Sequence, residues 1–103
     1  MSNYLQVQVS AENKEQADAI LNSLLAKKLV TGGLLLNSPA RFLWKGELVD
    51  MDYFIVTSYT TLKNKEAVIE EVKKISIEEV PMISFTSFDG NQELLSWIDR
   101  TLD

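Results

Sequence analysis

The sequence contains neither cysteine nor histidine. That double absence removes thiolate nucleophiles, disulfides, zinc-finger spacings and the side chain that most often transfers protons near neutral pH. It also leaves copper(I) and zinc without their preferred sulfur and nitrogen ligands, so the oxygen donors that remain suit magnesium or calcium. Positive charge is scarce too. Ten Lys and Arg stand against 15 Asp and Glu, and a formal net charge of -5 repels a phosphate backbone, so no nucleic-acid partner is expected. No apolar run approaches the roughly 18 residues of a membrane-spanning helix. The first residues, Met1-Ser2-Asn3-Tyr4, lack the basic stretch and apolar run of a secretory leader. The expectation is a cytoplasmic protein with no membrane partner, and the missing cysteines suit a reducing compartment. With 46% of its 103 residues apolar, the chain is expected to fold as a single domain, residues 1–103, around one core.

Hydrophobic periodicity supplies the elements. Residues 4–10 set Leu5, Val7 and Val9 against Tyr4, Gln6 and Gln8, the period of a half-buried strand. Asn13 is placed to cap a helix, with Gln16 completing a capping box, and Ala17, Ile20, Leu21, Leu24 and Leu25 form one stripe running to about Leu29. Gly32 and Gly33 end it. The apolar run 34–36, stopped by Asn37, Ser38 and Pro39, reads as a second strand, and residues 41–45 read as a third. Lys45-Gly46-Glu47 is the turn before a fourth strand, residues 51–59, rich in aromatic and β-branched side chains. Thr60 or Thr61 is expected to cap a second helix with Leu62, Val68, Ile69, Val72 and Ile75 on its apolar stripe and an attractive Glu70–Lys74 pair. A polar linker of residues 76–79, an extended Val80 before Pro81, a strand over 82–88, and a final helix carrying Leu94, Leu95, Trp97, Ile98 and Leu102 complete the chain. Right-handed crossovers that put both inner helices on one sheet face turn this order into an α+β, ferredoxin-like βαββαβ sandwich with an extended β-hairpin and a C-terminal helix.

The residues that carry chemistry are few. Asp50 and Asp52, with Glu47 nearby, are the closest acidic pair at a turn, but their spacing is not that of a calcium loop. An exposed hairpin that resists edge aggregation accounts for them as well. Glu78 and Glu79 before Val80-Pro81 read as exposed linker. Ser58, Thr60 and Lys63 lack any nucleophile motif, and Gly32-Gly33 lacks both the phosphate-loop pattern and its lysine. The aromatic set is more telling. Phe42, Trp44, Tyr53, Phe54 and Tyr59 fall within one hairpin and exceed what one face of so small a sandwich covers. Phe42, Trp44, Tyr53 and Tyr59 are therefore candidates for contact with a second copy of the chain, a closed ring being one way to remove open strand edges.

Six segments in this order and spacing resemble the CutA divalent-cation-tolerance family: the first strand, the helix with Glu15, Ala17, Ile20 and Leu24, then Trp44-Lys45-Gly46-Glu47-Leu48, the strand to Thr60, Val80-Pro81-Met82-Ile83, and Leu94-Leu95-Ser96-Trp97-Ile98. The resemblance spans almost the whole chain. It implies a ferredoxin-like subunit in a tight homotrimer whose long hairpins extend one another's sheets, an association with tolerance of divalent metals, copper especially, and no established enzymatic activity. It also implies a looser link to signalling, through trimers shaped like PII regulatory proteins. The sequence departs from the family where ions would bind. The usual Ala-Cys-Val-Asn is Thr31-Gly32-Gly33-Leu34, so Gly32 holds the cysteine position. The usual His-Pro-Tyr-Glu-Val-Pro-Glu is Ser76-Ile77-Glu78-Glu79-Val80-Pro81-Met82, an acidic position in the fourth strand is Tyr53, and a lysine position is Tyr59.

The expectation is thus a non-enzymatic trimeric binding or regulatory protein, with no cofactor beyond a divalent cation held weakly by oxygens such as those of Glu79, Asp50 or Asp52. The alternative is a PII-like sensor of a small molecule or nucleotide in subunit clefts lined by Tyr53, Tyr59 and Lys63. An acylphosphatase-type enzyme on the same fold would need an arginine in a phosphate-gripping loop, and Arg41 and Arg100, the only arginines, lie in none.

Overall fold

A computed structural model describes residues 3–102. The chain runs β1 (Tyr4–Ala11), α1 (Lys14–Ala26), β2 (Gly33–Trp44), β3 (Glu47–Thr61), a 3-10 turn (Leu62–Asn64), α2 (Lys65–Ile75), β4 (Ile83–Ser87) and α3 (Gln92–Leu102). The four strands form one antiparallel sheet in the order β2-β3-β1-β4. This is the ferredoxin-like arrangement expected from the element order. Among the described residues, no helix is long and apolar enough to cross a membrane.

The core follows from the alternation in β1. Leu5, Val7, Val9 and Ala11 point to one face, and their partners Val56 on β3 and Phe85 and Ile83 on β4 point the same way. Against that face α1 lays Ala17, Ile20, Leu21 and Leu24, and α2 lays Val68 and Val72, in one buried cluster. Asn13 caps α1 as expected, its Oδ1 accepting the Gln16 backbone N–H at 2.8 Å. The reciprocal half of the capping box is not made. The Gln16 side chain instead spans to the end of α2, donating to the Ile75 carbonyl and accepting from the Ile77 N–H.

Several boundaries depart from the sequence expectation, each for a physical reason. The second and third strands are a single strand, because β2 is an edge strand and Pro39, which lacks a ladder donor, is tolerated there opposite Asp52. The fourth strand starts at Glu47, four residues earlier, since the turn is only Lys45-Gly46. Both adopt positive φ (50° and 82°), the two-residue hairpin turn whose twist matches the strands. Helix α1 stops at Ala26, and Lys28 takes a left-handed conformation (φ 54°) that turns the chain before Leu29. Thr60 is not a cap. It lies in β3 and donates to the Leu29 carbonyl at 2.7 Å, and Thr61 precedes the 3-10 turn without a capping hydrogen bond. Lys74 pairs with Glu71 at 3.8 Å rather than with Glu70.

The result is an elongated molecule, 43 × 24 × 21 Å. Strand β1 pairs with β3 only from Phe54 onward, so the outer part of the β2–β3 ribbon projects beyond the helix-covered sheet. On the sheet's second face, α3 contacts β3, its Asp99 accepts the Tyr4 hydroxyl at 2.8 Å, and Tyr59 stacks on Phe88 at 5.1 Å.

Candidate functional site

A cavity of about 480 Å³ lies between the projecting ribbon and the segment that leads into β4. Its size falls in the range of small-molecule sites. Parity places its floor. Phe42, Val49, Met51 and Tyr53 occupy alternate positions on the ribbon face away from α1 and α2. The opposite wall is the segment 77–82, which contributes Ile77, Glu78, Glu79, Val80 and Met82, and Trp44 and Glu12 close the ends.

Segment 77–82 is held in place by Ser10, which the strand alternation directs to this same face. The Ser10 backbone N–H donates to the Met82 carbonyl, its hydroxyl accepts the Met82 N–H at 3.0 Å, and that hydroxyl donates to both carboxylate oxygens of Glu78 at 3.2 Å. Tyr53 completes the anchor by donating its hydroxyl to Glu78 Oε1. Its ring packs edge-on against Phe42 with centroids 5.8 Å apart. Burial first, then the Glu78 hydrogen bond and charge, raise the Tyr53 pKa well above its ordinary 10. The phenol therefore stays protonated near neutrality and serves as a hydrogen-bond donor, not as a base. At the rim, Lys45 places its ammonium 5.4 Å from the centroid of the Trp44 ring and 3.4 Å from Glu79 Oε1.

The residues singled out from the sequence are distributed unevenly around this cavity. Phe42, Trp44, Tyr53 and Glu79 line it. Asp50 and Asp52 sit on the other face of the ribbon, and Asp50 accepts from Arg41 Nε at 2.7 Å. Glu79 and the two aspartates are thus not brought together, and among the described residues no three Asp or Glu side chains are grouped so as to hold a metal ion. Tyr59 lies against Phe88, and Lys63 lines a separate cavity of about 90 Å³ with Asn3, Thr61, Asp99 and Leu102. Within one chain, therefore, Tyr53, Tyr59 and Lys63 do not share a cavity. Arg41 is occupied by Asp50 and lies in regular strand.

Sequence reasoning missed Glu12 and Glu78 as cavity residues and Ser10 as the anchor of the wall. A signal was present. The resemblance noted above implies a tyrosine at position 78 and an acid at position 53, where this sequence has Glu78 and Tyr53. The two positions are joined by a hydrogen bond whose donor is now on the strand. Gly32, at the cysteine position, has φ 105°, a conformation that glycine adopts and side-chain-bearing residues resist, and its carbonyl accepts the Ser58 hydroxyl at 2.7 Å.

A second polar cluster joins α1 to α2 outside the cavity. The buried Glu71 accepts from Ser23 Oγ and from Lys27 Nζ, the latter at 2.7 Å. The Lys27 and Ser23 hydrogen bonds hold its carboxyl below the usual value of 4.5.

Comparison with known proteins agrees with this architecture. Residues 5–101 match the family model described as CutA1 divalent ion tolerance protein. The divalent-cation tolerance protein CutA of Archaeoglobus fulgidus is 28% identical over 98 residues, covering 94% of this chain and 96% of that one. The solved structure of the periplasmic divalent cation tolerance protein CutA from the same organism superposes with a TM-score of 0.92 at 27% identity, covering 97% of this chain and 99% of its own. The divalent cation tolerance protein of Thermus thermophilus does so with a TM-score of 0.91 at 22% identity, over 97% and 99% of the two chains, a likeness of fold. The chain belongs to the CutA1 divalent ion tolerance family.

Proposed function

We propose that the chain acts as a non-enzymatic homotrimer, a binding or regulatory scaffold of the divalent-ion-tolerance family whose metal site is degenerate. The observation that carries this reading is the amount of apolar surface left open on and beside the ribbon: Leu34 is 62% exposed, Leu43 75% and Leu48 66%. A monomer gains nothing from such exposure, whereas a subunit interface does. The ribbon also has two free edges, β2 along its whole length and β3 over residues 47–53. Neighbouring copies that pair on those edges in a closed ring remove both liabilities. Degeneracy of the metal site is supported by the separation of Glu79 from Asp50 and Asp52 and by the engagement of Asp50 and Glu79 with cations of the chain itself. Analytical ultracentrifugation tests the assembly, with a trimeric mass at micromolar concentration expected and a stable monomer overturning it. Calorimetric titration of copper(II) tests the site, and micromolar or tighter binding would show that the ion site survives.

The cavity favours a second reading, a sensor of a small ligand. Its chemistry argues against nucleotides, because Glu12, Glu78 and Glu79 border it and Lys45 is the cation at its rim. A ligand that binds the folded state raises the melting temperature, so a thermal-shift screen over metabolites discriminates between a bare scaffold and a sensor.

A further inference from the structure

We infer that the cavity between the ribbon and segment 77–82 is a site for a small organic ammonium ion, an aromatic or aliphatic body carrying one positive charge. This rests on the small-ligand reading and not on the trimeric assembly. Three observations carry it. First, the walls are mixed in a way that suits such a molecule: Phe42, Val49, Met51, Val80 and Met82 offer an apolar chamber, and the ionised groups bordering it are carboxylates. A free metal ion gains nothing from such walls, and an uncharged apolar ligand gains nothing from the acids.

Second, the carboxylates are not equally engaged. Glu78 is held by Tyr53 and Ser10, so its charge is fixed in position. Glu12 makes no ion pair or side-chain hydrogen bond among the described residues, and Glu79 holds only the long contact to Lys45. Glu12 and Glu79 are therefore available to a cation.

Third, the protein already places an ammonium in the geometry proposed. The Lys45 Nζ stands over the indole of Trp44 and against Glu79, a cation–π contact and an ion pair made by the same group at the cavity mouth. Lys45 does not itself line the cavity. A ligand ammonium that displaces it gains the same two partners while its apolar body enters the chamber, which Lys45, tethered at the turn, does not fill. Lys45 is thus a competitor, and removing it strengthens binding.

Benzyltrimethylammonium is the probe, titrated into the full-length chain by calorimetry and by the indole N–H resonance of Trp44, with benzyl alcohol as the neutral counterpart. Saturable binding of the cation is expected, with benzyl alcohol about tenfold weaker or worse. Trp44→Leu weakens the cation about two- to fivefold, and Glu79→Gln weakens it by a similar factor. Lys45→Ala, by contrast, tightens it about two- to fivefold. Equal binding of benzyl alcohol and the cation overturns the ammonium class while leaving a small-ligand site in place. Absence of saturable binding by both probes overturns the site as well. Weaker binding by Lys45→Ala also overturns the inference, because it would make the lysine part of the binding site instead of a stand-in for the ligand.

Discussion

The two ends of this molecule are built on opposite terms. At the helix-covered end, Val7, Val9, Ile20, Leu24, Val56, Val68 and Val72 are each at most 1% exposed, and side chains of the sheet, α1 and α2 share one core. At the ribbon end, two strands project without a third, large apolar side chains face outward, and order comes from pairing within the hairpin and from one hydrogen-bonded strap. Two-stranded ribbons are marginal by themselves in water. The helix-covered end supplies stability to the fold, and the ribbon end leaves apolar surface open.

The largest test of that division is a cavity in the core. Ile20→Ala should cost about 2–5 kcal/mol and lower the midpoint of denaturant unfolding for the whole chain. A loss confined to the helix-covered end, with the ribbon's unfolding unmoved, would show that the two ends unfold separately. Gly33→Ala probes the start of β2, opposite Ser58 in the helix-covered end. A Cβ there would stand 1.7 Å from the Thr57 carbonyl oxygen, so the strand must shift and about 1–3 kcal/mol should be lost. Leu34→Lys, beside it and exposed, should leave the thermal stability of a dilute subunit nearly unchanged while abolishing the trimeric mass proposed above in sedimentation. At the ribbon, Tyr53→Phe removes one donor to Glu78 and should cost only about 1 kcal/mol, but faster amide exchange should appear in segment 77–82.

Acidity separates the ends once more. The folded-state pKa of Glu71 is depressed below 4.5, so its contribution is fully present above that pH and is lost as pH falls through the lower folded value. Tyr53 has the opposite sign. Its pKa is raised above 10, so its contribution is present below pH 10 and is lost as pH rises through the higher folded value. Acid should therefore loosen the α1–α2 contact first and alkali the ribbon strap. Hydrogen exchange at pH extremes checks the assignment, and Glu71→Gln should flatten the acid limb alone.

Much of the fold was legible because periodicity is local. Leu5, Val7 and Val9 declare a strand with one buried face, Asn13 declares a helix start, and the order of elements leaves few topologies open. Pro39 misled, since whether a proline interrupts a strand depends on whether that strand lies at a sheet edge, which is a tertiary fact. Glu71 went unremarked for a related reason. Its partners Ser23 on α1 and Lys27 at the end of that helix come from another segment, and no spacing within α2 announces them.

The sequence by itself determined the element order, the core faces and the family, because alternation at two and at three to four residues and the run of motifs are written along the chain. Only the tertiary structure decided what the polar residues do. Glu78 reads as linker until segment 77–82 folds over Ser10 and meets the Tyr53 hydroxyl, and Asp50 and Glu79, each a candidate oxygen ligand in the sequence, are each found against a cation of the chain itself. Local pattern sets which side chains leave water, but hydrogen-bond partners and cavity walls are set by which distant segments meet.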